Sequence, residues 1–151
     1  MRKSNWESAL DRYCARCATT RFSYDPAAGL DCCRFIFGAA AVMTGRTFYG
    51  RFEGRYRSRG GALRLMAEYG GAPSIEAAVP ILMFECGFAE IAPARAQRGD
   101  ALMIAAGAGA ARIDGRSMGI VSLDGRAALA MAESGLWRYP RTLAVRAWSI
   151  A

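Results

Sequence analysis

The sequence predicts an α+β domain, with helices gathered in about residues 1–90 and a small antiparallel sheet in about 98–151. Two patterns predict it. Apolar residues recur at three- and four-residue steps through the first part, and in short runs between glycine-containing turns through the second. At 151 residues and 53% hydrophobic, the chain fits one domain with a sizeable core, and nothing in it suggests two.

The first helix is predicted from about Asn5 to Thr20. Ser4 or Asn5 can cap it, and Trp6, Leu10, Tyr13, Cys14 and Cys17 share one face. The second opens at Gly29-Leu30-Asp31-Cys32-Cys33-Arg34. Phe35, Ile36, Ala39, Ala40 and Met43 mark its buried stripe, and Thr44-Gly45 its end. Asp31 stands where an N-cap belongs, which makes Cys32 the first helical residue. A thiol there sits at the positive end of the macrodipole, where the thiolate is favoured.

From Arg46 to Gly61, arginines and aromatics interleave with glycines. Such mixtures grip phosphates and stack bases in single-strand binders, so this is the chain's nucleic-acid candidate. In a short, non-repetitive stretch between two helices, however, aromatics more often pin a loop to the core. Ala62 to Tyr69 reads as a third helix stopped by Gly70-Gly71. Ser74 starts a fourth that runs to Cys86, with Pro80 expected to break or bend it.

Arg98-Gly99-Asp100 is a turn before the strand Ala101 to Ala105, and Gly107-Ala108-Gly109 is the loop after it. Ser117 to Leu123 is the next strand. Asp124-Gly125 turns the chain into Arg126 to Met131. Gly135-Leu136-Trp137 and Pro140 read as punctuation, and Leu143 to Ile150 as the last strand.

Charge and cysteine usage narrow the function. The net charge is +7, but Lys3 is the only lysine, and the arginines are spread over the whole length. A basic surface of this kind suits nucleic acid or an acidic neighbour in an assembly. The longest apolar run, Ala77 to Phe84, is far too short to cross a bilayer. The charged start, Met1 to Glu7, lacks the apolar core of a secretion signal. Five cysteines with no export signal point to free thiols. Cys14 and Cys17, with Cys33 and Cys86, form the one candidate thiolate metal set. A continuous helix denies Cys14-Ala15-Arg16-Cys17 the knuckle turn of such a site, so neither metal nor cofactor is expected. No histidine is present, so no Cys-His dyad can be assembled from this chain.

Three landmarks stand in order: Asp31-Cys32 opening a helix, Arg98-Gly99-Asp100-Ala101-Leu102 opening the sheet, and Ser117-Met118-Gly119-Ile120-Val121 on the next strand. This order resembles the NlpC-type branch of the papain-like cysteine peptidases, which cut the peptide stems of bacterial cell walls. The resemblance implies a papain-like domain over residues 1–151. It places Cys32 at the nucleophile position and Ser117 where the family carries its base histidine. The third, orienting polar residue falls near Ala127 or Ala128. Further matches are to a histidine-poor, phage-encoded offshoot of that family. They include Arg55-Tyr56 followed by Gly60-Gly61-Ala62, Gly70-Gly71, Gly135-Leu136 and Arg146-Ala147-Trp148.

That offshoot implies a structural component of a siphophage-type tail tip, made in the host cytoplasm and carried in the virion. Its expected partners are the tail-tip hub, the distal tail and the C-terminal part of the tape measure. The expectation is a pseudoenzyme. The alternative is a peptidase or amidase on cell-wall peptides with a base supplied by a partner, and the lesser alternative is nucleic-acid binding through Arg46 to Arg59.

Overall fold

The computed structural model describes residues 1–106 and 113–151. Its helices are α1 (Trp6–Cys17), α2 (Cys32–Thr44), α3 (Arg59–Gly70) and α4 (Ile75–Glu85). Its strands are β1 (Ala89–Ile91), β2 (Ala101–Ile104), β3 (Ser117–Val121), β4 (Ala127–Ala132), β5 (Gly135–Pro140) and β6 (Ala144–Ser149). They form one antiparallel sheet in the order β1-β6-β2-β3-β4-β5. The architecture is α+β, four helices with a six-stranded antiparallel sheet. The expected loop at Gly107-Ala108-Gly109 lies outside the described residues.

The helix ends follow their capping chemistry. Asp31 Oδ1 accepts from Arg34 N at 2.9 Å at the start of α2, and Gly45, at φ 76°, closes it in the left-handed conformation. Ser58 Oγ caps α3 through Gly61 N at 3.1 Å, and Ser74 Oγ caps α4 through Ala77 N at 3.0 Å. Two expectations are corrected here. The third helix starts a turn before Ala62, because Ser58 supplies the cap and Gly60-Gly61 fold into the first turn instead of interrupting it. The fourth continues through Pro80. The acceptor left without its N–H is the carbonyl of Glu76, an exposed residue that water can reach.

The sheet has two packed faces. Met103, Met118, Ile120, Met131 and Trp148 meet the helices, where Leu10, Phe35, Phe37, Met43, Ile75 and Met83 complete the main core. Each such side chain contributes on the order of 1.5–3 kcal/mol when fully buried. The alternate residues Leu102, Ile104, Val121, Ala128, Ala130 and Ala147 form a second, small-residue cluster.

Two strands escaped the sequence reading. β1 is too short to show alternation, and it lies at the end of the stretch assigned to helices. β5 is an edge strand whose Gly135 and Pro140 looked like loop residues. Pro140 is tolerated because it ends that edge strand. Gly135 has φ 141°, and a Cβ there would lie 1.9 Å from Ala18 O. The β4–β5 hairpin thus lands against the end of α1, and Phe22 N donates to Glu133 O beside it.

Candidate functional site

The start of α2 is the most densely bonded polar point of the helical half. Asp31 and Arg34 are both buried and pair at 2.9 Å through Oδ2 and Nη1. Tyr56 Oη donates to Asp31 Oδ2 at 2.7 Å, and the Tyr49 and Tyr56 hydroxyls bond at 2.9 Å. Arg34 also donates to Tyr24 O at 2.9 Å and Tyr56 O at 3.3 Å. Its guanidinium lies over the Tyr56 ring at 4.5 Å. One side chain therefore ties the 22–30 and 53–58 segments to the helix start.

Burial raises the Asp31 carboxyl above its ordinary range, while the Arg34 N–H, the Tyr56 hydroxyl and the Arg34 guanidinium pull it back down. Burial and the Asp31 charge push the Tyr56 phenol far upward. Asp31 is thus a cap and an anchor with both oxygens engaged, and Tyr56 holds its proton. Neither is poised as a base.

Cys32, almost fully buried, lies where α2 meets β3. β3 and β4 pair at Gly119↔Ala130, Ile120↔Leu129 and Val121↔Ala128 but not beyond, although β4 continues to Ala132. Hydrogen bonding from the Cys33 thiol lowers the Cys32 pKa most, helped by Met118 N–H and the Ser117 hydroxyl and opposed by burial and Asp31. The same contact with Cys32, then burial, raises Cys33 well above the ordinary thiol range.

Ser117 is completely buried, and its hydroxyl makes no well-formed hydrogen bond among the described residues. The Ser117 side chain lies within reach of Cys32 where α2 packs on β3. Of the two positions expected for the orienting residue, Ala128 pairs with Val121 of β3 and Ala127 with Pro140 of β5, and both are apolar.

The remaining candidates disperse. No cysteine is in a disulfide, and among the described residues no group of three or more His, Cys, Asp or Glu is arranged to hold a metal. Cys14, Cys17, Cys33 and Cys86 are not gathered into a site. Cys14, buried beside Cys17 and Asp11, is pushed up to about 12. In the Arg46–Gly61 stretch, Phe48, Phe52 and Tyr56 are buried and Tyr49 is half-buried. Its rings pack on one another, with Phe37–Phe52 centroids at 6.0 Å and Phe52–Tyr69 at 5.5 Å. No exposed aromatic of this stretch is left for a base to stack on.

Asp100, expected to shape the turn before β2, does more. Its carboxylate accepts from Gln97 N at 2.8 Å, Ile150 N at 3.0 Å and Arg2 Nη2 at 2.5 Å, tying three segments at the end of the sheet. Sequence reasoning missed the roles of Arg34 and Tyr56. The signal was present in the three-residue spacing of Asp31 and Arg34, which puts both at one helix start.

No helix among the described residues is long and apolar enough to cross a membrane. The family model of a domain of unknown function, DUF6950, matches residues 1–150. No curated protein and no solved structure matches the chain.

Proposed function

The chain belongs to the DUF6950 family, and from the geometry at Cys32 we propose that it is a catalytically silent papain-like domain serving as a structural part of a siphophage-type tail tip. The supporting observation is the meeting of Cys32 with Ser117 at the junction of α2 and β3. A hydrolase of this design needs a group there that takes the thiol proton and returns one to the leaving amine. Ser117 has no such capacity at neutral pH, Asp31 is engaged by Arg34 and Tyr56, and Cys33 holds its proton. The slot is also closed, with Cys32 and Ser117 both buried.

A domain with this scaffold and no working centre contributes shape and surface. Its expected neighbours are the hub, the distal tail and the tape-measure C-terminus, and its basic charge suits acidic ones. Cross-linking mass spectrometry on purified particles tests the location. Cross-links to hub or distal-tail proteins are expected, and absence of the chain from tails and tail-assembly intermediates would overturn the reading.

One observation favours a second reading, hydrolysis with a base from a partner chain: the Cys32 pKa is lowered although the residue is buried. Labelling of Cys32 by an electrophilic peptide only when tail proteins are present would support that alternative.

A further inference from the structure

A cavity lies behind the helix start, and it opens on Cys33 instead of Cys32. Its floor is Phe37, Phe52, Ala62 and Leu65, all buried, and the half-buried Met66 and Tyr69 stand at its rim. The centre of a water-sized sphere has about 30 Å³ in which to move inside it, room for more than a single water. The lining is almost wholly apolar. The phenol oxygens of Tyr49 and Tyr56 are turned to each other, and Tyr56 to Asp31, so they place no strong polar demand on an occupant.

The segment walling this cavity carries much of the chain's excess charge, with six arginines and two glutamates between Arg46 and Gly70. Arg55 is paired with Glu68 at 2.8 Å. Arg57, Arg59 and Arg64 are exposed and have no acidic partner among the described residues. Arg57 adjoins Tyr56, and Arg59 precedes Ala62 by one helical turn, so both belong to the segments that wall the cavity.

We propose that the cavity behind Cys33 is a docking socket for one small aliphatic side chain carried on an acidic segment of a partner protein, with Arg57 and Arg59 receiving the flanking carboxylates. Three features select this occupant. The enclosed room suits the branched end of a valine or leucine, and Met66, unbranched and adaptable, can widen the mouth. The arginine rim favours negative charge. A second copy of this chain is disfavoured, because two copies at +7 repel. The proposal is independent of the tail-tip reading, since any acidic partner satisfies it.

The test is titration of the full chain, labelled for methyl and amide NMR, with the peptide Asp-Glu-Leu-Glu-Asp blocked at both ends. Shifts are expected at Leu65, Met66, Ala62 and the 57–61 amides. Replacing the peptide leucine by alanine should remove the methyl shifts. The exposed pair Arg57→Glu/Arg59→Glu, which leaves the core untouched, should weaken binding about tenfold. Ala62→Val, checked for folding by its amide spectrum, should block the socket. The proposal fails if the leucine peptide gives no shift at millimolar concentration. It also fails if a Lys-Lys-Leu-Lys-Lys peptide shifts the same methyls equally, or if a thymidine oligonucleotide binds the arginine rim as well as the peptide does.

Discussion

Replacing Arg34 by methionine keeps the stem that packs on Tyr56 and removes the only cation beside a buried carboxylate. Asp31 then retains its bonds from Arg34 N and Tyr56 Oη but loses the 2.9 Å pairing, and the carbonyls of Tyr24 and Tyr56 lose their donor. Breaking a buried ion pair by removing one partner costs on the order of 3–5 kcal/mol. Against a typical total of about 5–15 kcal/mol, that is a large share. Adding Asp31→Asn removes the stranded charge while keeping a side chain that caps as well as aspartate. The double variant should therefore recover roughly half of the loss, the rest reflecting the two orphaned carbonyls.

The loss should also depend on pH. Burial already raises the Asp31 pKa in the folded state, and removal of the guanidinium raises it further. A carboxyl whose folded pKa lies above its unfolded one favours folding below the unfolded value. It loses that contribution as pH rises through the folded value. The Arg34→Met deficit should thus be larger at neutral pH than in mild acid, and the Asn double variant should show no such trend. Urea denaturation of the three proteins across pH measures this. A single-variant loss below about 1 kcal/mol, the range of a surface pair, would refute the account of Arg34 as the tie of the helix start. Losses that simply add in the double variant would refute it equally.

Three other outcomes follow from single positions. Ser117→Ala removes a buried hydroxyl with no well-formed bond, so stability should be unchanged or rise by up to about 1 kcal/mol; a loss larger than that in urea denaturation would reveal a bond to Cys32 stronger than described. Gly135→Ala places a Cβ against Ala18 O at a φ of 141°, so a loss of at least about 2 kcal/mol is expected, with the melting temperature as readout. The Asp124 carboxyl, held down by the Ser122 hydroxyl and the Arg126 N–H, should titrate at about 2 by carbon-detected NMR. Its turn is then fully supported above the ordinary carboxyl range and loosens only as pH falls toward that value, and a midpoint near the ordinary aspartate range would contradict the bonding drawn at the turn.

What was legible in the sequence depended on whether the physics was local. Asp31 and Gly45 bound α2 by capping alone, and the helix runs between them. Asp124-Gly125 forms the expected turn, with Gly125 at φ 74°. β1 and β5 were not legible, because one is three residues long and the other carries Gly135 for a contact with α1 that only the fold creates. The thiol at the helix start was readable from Asp31-Cys32. Its burial was not, since it depends on how α2 packs on the sheet at β3. The polar tie through Arg34 and Tyr56 joins segments that sequence spacing does not relate, whereas the inward-facing aromatics of the Arg46–Gly61 stretch were legible from its place between two helices.

On the proposed reading the gene belongs to a phage and the thiol at Cys32 does no chemistry. The most direct test is to delete the gene from that phage and supply either the wild type or Cys32→Ser in trans, counting plaques and checking incorporation into particles. Full rescue by the serine variant is expected, as for a buried thiol that only packs. Rescue by the wild type alone, with the variant still present in particles, would contradict it and direct the search for a base to a neighbouring chain.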